Sequence, residues 1–240
     1  MDEMENRVCD KHGPYKTQEI KIFGCTFYAM CPECERIEAA QEEERRLKFE
    51  QQQKEESLIE RGIEPEYFNA SFDNYIPENE SEKEAVSVMR SLAEGKVHKV
   101  LLLGSNGVGK THLASALARS LNGIIITMFK LSAEIRSGFA NNKSEIAVLD
   151  RLLTYPVIVI DELGRTKGSD AERNWLSYLV DKAHVRGIKL VIISNRLPAD
   201  YLPEGRKGEA FEYFVDNDVI SRLREKSRVV VINGRDRRTH

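Results

Sequence analysis

The sequence has little that would mark a secreted or membrane-bound chain. Its 240 residues include only four cysteines and one tryptophan, and no apolar run approaches the ~20 residues of a membrane-spanning helix. The first residues, Met1 to Asn6, are acidic and polar, unlike the basic and apolar start of a secretory signal. We therefore expect a cytoplasmic protein that has no membrane partner.

Neither sign of charge dominates. The 36 Lys and Arg against 39 Asp and Glu leave a formal net charge of −3, so the chain lacks the overall basic character that supports non-specific nucleic acid binding. Any nucleic acid site must be a local patch. The length suits one large domain, or one medium domain with a small appendage.

All four cysteines lie near the N-terminus. Cys9 and His12, and likewise Cys31 and Cys34, are separated by two residues, a spacing that lets both members of a pair bind one tetrahedral zinc ion. In a cytoplasmic chain such cysteines are more often metal ligands or free thiols than disulfides. We predict a Cys₃His zinc site, with Cys25 as the alternative to His12 for the fourth position. Unrelated reduced thiols are the competing interpretation.

The chain divides into three parts by composition. The zinc module, 1–36, includes a β-rich stretch with Gly24 that predicts a hairpin, and it has too small a core to fold without its metal. Residues 37–61 are rich in Glu, Gln, Lys and Arg and predict a solvated helical connector, or alternatively a partner-binding helix. The nucleotide domain occupies 62–240, starting at a helix-ending glycine, Gly62.

A phosphate-binding loop is the strongest motif. It follows the apolar run Val100–Leu103, precedes a helical pattern and matches G-x-x-x-x-G-K-[ST]. Lys110 would reach the β- and γ-phosphates of ATP or ADP, and the Thr111 hydroxyl would hold Mg²⁺. A glycine-rich turn that matches by chance is the competing interpretation. The predicted nucleotide-binding residues here are Gly104, Ser105, Asn106, Gly107, Val108, Gly109, Lys110, Thr111 and His112.

Polar residues end two further apolar runs. Asp161 and Glu162 follow Val157–Ile160, the Walker B pattern, in which Asp161 would orient Mg²⁺ and Glu162 would polarise the attacking water. Asn195 follows another apolar run and would contact the γ-phosphate or that water if its strand neighbours the first. An exposed acidic turn and a simple turn asparagine are the alternatives.

Three other stretches carry predictions of structure. Ser81 and Glu84 fit a capping box that opens an amphipathic helix. The run Ile124–Phe129 predicts a buried strand. The aromatic stretch Tyr67–Tyr75 would either wall an adenine ring or pack as a strap on the core.

The C-terminal part is locally basic, with Lys or Arg at seven positions between 222 and 240 against two acids. An exposed basic tail explains the last three arginines without any function. Arg222 follows an apolar helical segment, so its guanidinium could reach the γ-phosphate of a neighbouring subunit.

A family resemblance rests on four of these motifs. Gly104–Thr111, Val157–Glu162, Ser194–Asn195 and Ile220–Leu223 together resemble the AAA+ ATPases of the DnaC/DnaI helicase-loader type, close to the IstB-like group, over about residues 62–240. The paired Cys and His residues are similar to those of loaders with a zinc-bearing N-terminal domain. The resemblance implies an α/β P-loop NTPase of three α/β/α layers, a parallel five-stranded sheet in the order 5-1-4-3-2, and no C-terminal helical lid.

The same resemblance implies roles for single residues. Asn195 is similar to sensor 1, Arg222 to the arginine finger and Arg238 to the sensor 2 arginine, although Arg235 and Arg237 stay open for that last role. It also implies ATP hydrolysis stimulated by DNA and oligomerisation, assembly into a helical oligomer on a hexameric replicative helicase, and single-stranded DNA held by the ATPase domains.

We therefore predict an ATP-dependent helicase loader that binds the helicase through its N-terminal domain. The alternative is an IstB-like transposition helper ATPase that acts on duplex DNA. A zinc module with a solvated connector favours protein docking over helix-turn-helix reading of DNA. A third class, a zinc-anchored DNA-binding module with a vestigial nucleotide site, is disfavoured by the intact Lys110, Thr111, Asp161 and Glu162.

Overall fold

The structure, a computed structural model, describes residues 4–23, 25–140, 142, 144–165, 169–215, 217–224 and 227–238. Gly24 of the expected hairpin and Lys226 of the basic C-terminal set lie outside the described residues. The chain forms two compact units, Met1–Glu56 and Ser57–His240.

The N-terminal unit begins with a three-stranded antiparallel sheet. Its strands are β1 (Met4–Cys9), β2 (Gly13–Ile22) and β3 (Cys25–Tyr28), paired in the order β1-β2-β3. Cys9 pairs with Gly13 across the first turn, where Gly13 has φ +80°, a conformation that glycine adopts without a steric penalty. The predicted hairpin corresponds to β2 and β3, which pair antiparallel, and the hairpin of β1 with β2 adds to it.

Helix α1 (Pro32–Glu60) follows this sheet. Pro32 is its first residue, where the missing N–H costs no helical hydrogen bond. None of its 29 residues is buried, and exposed ion pairs such as Lys48–Glu44 join its successive turns. The helix covers nearly all of the predicted connector.

The second unit is built on a parallel sheet of five strands. These are β4 (Lys99–Gly104), β5 (Ile124–Thr127), β6 (Val157–Asp161), β7 (Lys189–Ser194) and β8 (Ser227–Ile232). Their spatial order is β5-β6-β7-β4-β8, and all four pairings are parallel. With these strands numbered 1 to 5 along the chain and the sheet read from the β8 edge, the order is 5-1-4-3-2, so the predicted sheet order is confirmed.

Helices cover both faces of the sheet. One face packs on α2 (Glu80–Ala93) and α3 (Lys110–Ser120), and its core includes Met89 and Leu117 with alternate strand residues such as Leu102. The opposite core holds the neighbouring strand residues, such as Leu103, against the remaining helices. The three-layer α/β/α fold is therefore confirmed. The helices on the second face are α4 (Met128–Ala140), α5 (Glu145–Leu152), α6 (Asp170–Arg186) and α7 (Asn217–Arg224).

Two local predictions were wrong. The N-cap of α2 is Asn79, whose side chain accepts from the N–H of Glu82, while the Ser81 hydroxyl donates to the carbonyl of Asn233. Asparagine is as good an N-cap residue as serine, and Asn79, two positions before Ser81, takes that position. The strand predicted over Ile124–Phe129 ends at Thr127, and α4 begins directly at Met128.

In the part of the chain that the structure describes, no helix has the length and apolarity needed to cross a bilayer.

Candidate nucleotide site and metal centre

The loop between β4 and α3 curls tightly because its glycines adopt positive φ. Gly107 has φ +76° and Gly109, the N-cap of α3, has φ +93°. Gly104 has φ +148°, and a Cβ there would lie 2.3 Å from the backbone oxygen of Ile232. A side chain at these positions would be strained or would collide, so glycine is required.

Lys110 is folded back into this loop. Its ammonium donates to the carbonyls of Gly104 at 2.9 Å and Ser105 at 2.6 Å, and the residue is 6% exposed. Burial lowers the pKa of Lys110 to about 8, against the opposing attraction of Asp161. The ammonium group is therefore bound to neutral carbonyl acceptors, and a negatively charged phosphate would bind it more strongly.

Thr111 and Asp161 meet at the end of β6. The Thr111 hydroxyl donates to Asp161 Oδ2 at 3.1 Å, and the backbone N–H of Glu162 donates to Asp161 Oδ1 at 2.6 Å. Burial raises the pKa of the Asp161 carboxyl, although these two hydrogen bonds oppose the shift. A hydroxyl and a carboxylate in contact beside a phosphate loop form a hard oxygen site that suits Mg²⁺.

Glu162 and Asn195 complete this edge of the sheet. Glu162 has φ +57°, uncommon for a residue other than glycine, and its carboxylate accepts from Arg165 at 2.7 Å. Asn195 follows β7, which pairs with β4 as its predicted position required, and is exposed. Both side chains line the same cleft as Lys110.

This nucleotide cleft has a volume of about 480 Å³, within the range of small-ligand sites. Part of its lining is aromatic: the Tyr67 ring meets the His112 ring edge to face, with the ring centres 6.4 Å apart. Tyr75 is 5% exposed and donates its hydroxyl to the Val108 carbonyl at 2.9 Å. The aromatic stretch thus supplies both a wall and a strap that packs on the loop.

The three C-terminal arginines occupy different places. Arg235 pairs with Glu78 at 2.8 Å and does not line the nucleotide cleft, whereas Arg237 and Arg238 do. The Arg237 guanidinium donates to Glu82 Oε2 at 2.5 Å, and the Glu82 carboxylate is fully buried. The Arg238 side chain is 66% exposed and pairs with Asp236 at 3.2 Å.

Arg222 lies away from the nucleotide cleft of its own chain. Its backbone carbonyl accepts from Lys99 Nζ at 2.5 Å, and Lys99 begins β4 whereas the phosphate loop follows the end of that strand. The guanidinium pairs with Asp181 and its side chain is 53% exposed. Within one chain the structure does not bring Arg222 together with the other predicted site residues.

The predicted zinc ligands form one cluster in the N-terminal unit. Ligand atoms of Cys9, His12, Cys31 and Cys34 all lie within 4.8 Å of one another, and Cys25 is exposed outside this set. The Cys9 and Cys34 sulfurs are 3.5 Å apart, and His12 Nδ1 lies 3.3 Å from Cys34 Sγ. A tetrahedral zinc ion would place its thiolates about 3.8 Å apart and a thiolate about 3.6 Å from an imidazole nitrogen. The residues present fit the metal.

Electrostatics within the cluster also suit a cation. Backbone N–H groups of Lys11 and His12 lower the pKa of the Cys9 thiol to about 6. The hydrogen bond to Cys9 raises the pKa of Cys34 to about 11. Thiolates this close repel one another, and a bound cation would remove that repulsion.

Sequence reasoning missed the partners that hold the site together. Glu82 lies on the buried stripe of α2 with Ala85 and Met89, and an acid on an apolar face signals a buried partner. That signal was available, but it does not identify Arg237. Nothing in the sequence indicated that Arg165 pairs with Glu162.

Comparison with known proteins agrees with this architecture. Residues 37–240 match the model of the family described as IstB-like ATP binding protein. The chain belongs to this family. The predicted resemblance to ATP-binding proteins of the IstB-like group is confirmed.

Relatives of this IstB-like chain include proteins named replicative helicase loader DnaC. Those of Buchnera aphidicola (subspecies Baizongia pistaciae) and Escherichia coli K12 are 34% identical over 131 residues and 32% identical over 130. Each match covers 50% of this chain and 53% of the relative. The chain thus spans about half the length of the curated relatives it matches.

Solved structures show the same fold. A crystal structure of the DnaC helicase loader is 26% identical with a TM-score of 0.60, covering 71% of this chain and 100% of that one. The replication initiator DnaA bound to AMPPCP and single-stranded DNA is 17% identical with a TM-score of 0.57, covering 72% and 51% of the two chains. At that identity the likeness shows the fold alone.

Proposed function

We propose that the protein is an ATP-hydrolysing loader of a hexameric replicative helicase, acting in the cytoplasm. The observation that carries the proposal is the match to the full length of a solved DnaC helicase loader chain. The similarity to relatives named as such loaders supports it.

In this proposal the phosphate loop holds the triphosphate of ATP. The N–H groups of the loop face an anion, and Lys110 moves from the carbonyls of Gly104 and Ser105 to the β- and γ-phosphates. Thr111 and Asp161 are the residues that would hold Mg²⁺. When bound, magnesium supplies electrostatic stabilisation of the phosphate oxygens.

Hydrolysis would depend on two residues at neighbouring strand ends. Glu162 would accept a proton from the attacking water, and Asn195 would hold that water or contact the γ-phosphate. Arg238, which is exposed in the cleft, would act as sensor 2. We assign Arg237 a structural role instead, because its guanidinium is already committed to the buried Glu82.

The neighbouring subunit would complete the site. Arg222 lies near the start of β4, away from its own phosphate loop, and its guanidinium is exposed in an ion pair with Asp181. This placement supports an arginine finger that acts on the next subunit. ATP bound between subunits would favour the predicted helical oligomer, and hydrolysis would release it.

The N-terminal unit would bind the helicase. Zinc held by Cys9, His12, Cys31 and Cys34 would fix the turn after β1 to the start of α1, because four ligands from two segments share one ion. We keep the division into a zinc module, a connector and an ATPase domain, with the boundaries 1–36, 37–61 and 62–240. Single-stranded DNA would be held by the assembled ATPase domains.

The second candidate is a transposition helper ATPase that acts on duplex DNA. The family match itself favours keeping it, because the family description names the IstB-like group. Both candidates use the same ATPase site, so only the partners separate them.

The test uses the full-length protein with a purified hexameric replicative helicase. We expect co-elution of the two proteins, ATP hydrolysis stimulated by a single-stranded oligonucleotide, and loss of that stimulation in Arg222→Ala while ATP still binds. Stimulation by duplex DNA alone, without helicase binding, would favour the second candidate. A chain that binds ATP but neither hydrolyses it nor binds a helicase would reject both.

A further inference from the structure

Helix α7 presents Arg222 at the surface of the second unit. The helix packs on the core through Val219, Ile220 and Leu223, which are all buried. The Arg222 side chain, on the same helix, is exposed. These apolar contacts fix the helix, but they do not by themselves fix the guanidinium that projects from it.

Lys99 holds the backbone of Arg222 from the side of the sheet. Lys99 is the first residue of β4 and is 4% exposed, although burying a lysine costs free energy unless its ammonium group is hydrogen-bonded. The ammonium donates to the Arg222 carbonyl at 2.5 Å. The carbonyls in the last turn of a helix need partners from outside that helix, and a cation there also opposes the helix dipole. Lys99 therefore fixes the end of α7 relative to the sheet.

Asp181 holds the guanidinium of Arg222 from a second helix, α6. The Asp181 Oδ1 atom pairs with Arg222 Nη1 and is shielded from solvent. This pair uses one nitrogen, and a guanidinium has five N–H groups, so it can bind a phosphate oxygen at the same time. A long side chain that is already held at one edge loses less conformational freedom when its other edge binds a ligand.

The strand that begins at Lys99 leads to the phosphate loop. Strand β4 covers Lys99–Gly104, and five steps along a parallel strand span about 16 Å. One strand thus connects the nucleotide site at its end with the helix that carries Arg222 at its start. This separation keeps Arg222 away from its own phosphate loop and suits a site that the next subunit completes.

We propose that Lys99 and Asp181 are positioning residues for Arg222, which they hold in place for the γ-phosphate of ATP in the neighbouring subunit. The inference rests on the proposed function, in which Arg222 acts on that subunit. Neither Lys99 nor Asp181 lines the nucleotide cleft of its own chain, so each acts through Arg222. Position matters here because a misplacement of about 1 Å at a reacting group costs up to about a hundredfold in rate.

The test mixes two inactive forms of the full-length protein in the presence of ATP, magnesium and oligothymidylate. Lys110→Ala loses its own nucleotide but keeps Arg222, whereas Arg222→Ala keeps its nucleotide but lacks the guanidinium. We expect the mixture to hydrolyse ATP although neither form does so alone. The reason is that an active site in the mixture takes its nucleotide from one form and its arginine from the other.

Lys99→Met is then introduced into one form at a time. In the Lys110→Ala form, which supplies Arg222, it should lower the restored rate of hydrolysis at least about tenfold. In the Arg222→Ala form it should leave that rate within about twofold, whereas general structural damage would lower the rate in both forms. Lys189→Met replaces the lysine that begins the neighbouring strand β7. It is the matched control and should leave the restored rate unchanged in either form.

Asp181→Asn gives a second measurement at a more exposed position, and it decides the test if Lys99→Met does not fold in a thermal melt. It should lower the restored rate about two- to fivefold, and only in the form that supplies Arg222. Equal losses in the two forms, or no loss in either, would overturn the inference and leave the action of Arg222 on the next subunit standing. If the parent mixture hydrolysed no ATP, that action would be refuted, and the inference with it.

Discussion

Replacing Arg237 with alanine should destabilise the second unit rather than only slow its chemistry. The Arg237 guanidinium donates to Glu82 Oε2 at 2.5 Å and to the Ile76 carbonyl at 2.8 Å. It also lies 4.6 Å from the centre of the Tyr75 ring. Glu82 is 0% exposed, so the substitution leaves a carboxylate buried without its counter-charge.

The expected loss is large for a single side chain. Removing one partner of a buried ion pair costs about 3–5 kcal/mol, because the remaining charge cannot be solvated. For a unit of this size each kcal/mol lowers the melting temperature by about 2–4 °C, so Arg237→Ala should melt about 6–20 °C below the wild type. Arg238→Ala removes an exposed guanidinium and should melt within about 2 °C of it.

The assay is thermal unfolding followed by circular dichroism, paired with ATP hydrolysis at a temperature where both variants are folded. The double variant Glu82→Leu with Arg237→Leu should recover much of the stability, because it removes both charges. If Arg237→Ala melted like the wild type and lost hydrolysis, Arg237 would be the phosphate sensor and our assignment to Arg238 would be wrong.

Three further outcomes are expected. Mass spectrometry of the native protein should find one zinc per chain, lost in Cys31→Ser and kept in Cys25→Ser; a metal-free, folded N-terminal unit would contradict the site. Burial lowers the pKa of Lys110 to about 8, so above that pH the lysine must take up a proton when ATP binds. Calorimetry should therefore show the affinity for ATP falling about tenfold per pH unit above pH 8. An affinity that did not change with pH would refute the reasoning. Gly95→Ala should lower the free energy of unfolding by about 1 kcal/mol, because of the positive φ alone. Gly62→Ala should lower it by at least about twice as much in a thermal melt, because the added Cβ would also lie 1.9 Å from a backbone oxygen. Equal losses in the two variants would show that the backbone near Gly62 moves to accept the side chain.

Much of the nucleotide site could be predicted because its parts are local in sequence. The phosphate loop joins one strand to the next helix, and the acids follow another strand directly. A parallel sheet brings such strand ends to one edge. Asn195 needed one further condition, that β7 lies beside β4, and the pairing of Leu103 with Ser194 meets it.

The contacts that support the site could not be predicted in this way. Glu82 and Arg237 are 155 residues apart, and two other arginines within three residues were equally plausible partners. Helix α1 gives a second example. Its charged composition predicts a helix, but it does not predict what the exposed surface of that helix contacts. Local propensity decides the element, whereas long-range pairing depends on packing that a single sequence does not display.

The glycines of the phosphate loop connect these two levels. A side chain at Gly107 would collide with the Asp236 carboxylate, and one at Gly109 would lie 2.4 Å from the Tyr75 ring. The same positions have the positive φ that lets the loop curl around a phosphate. Gly109 is therefore required twice, once for the curl and once because the buried Tyr75 ring packs against its bare Cα. At Gly107 the Asp236 side chain can turn aside, so the positive φ is what requires glycine there. The backbone N–H of Arg237 donates to the Gly107 carbonyl at 3.0 Å, which joins the C-terminal segment to the loop it covers. A loop motif that appears local thus also specifies where Tyr75 and the segment with Asp236 and Arg237 pack.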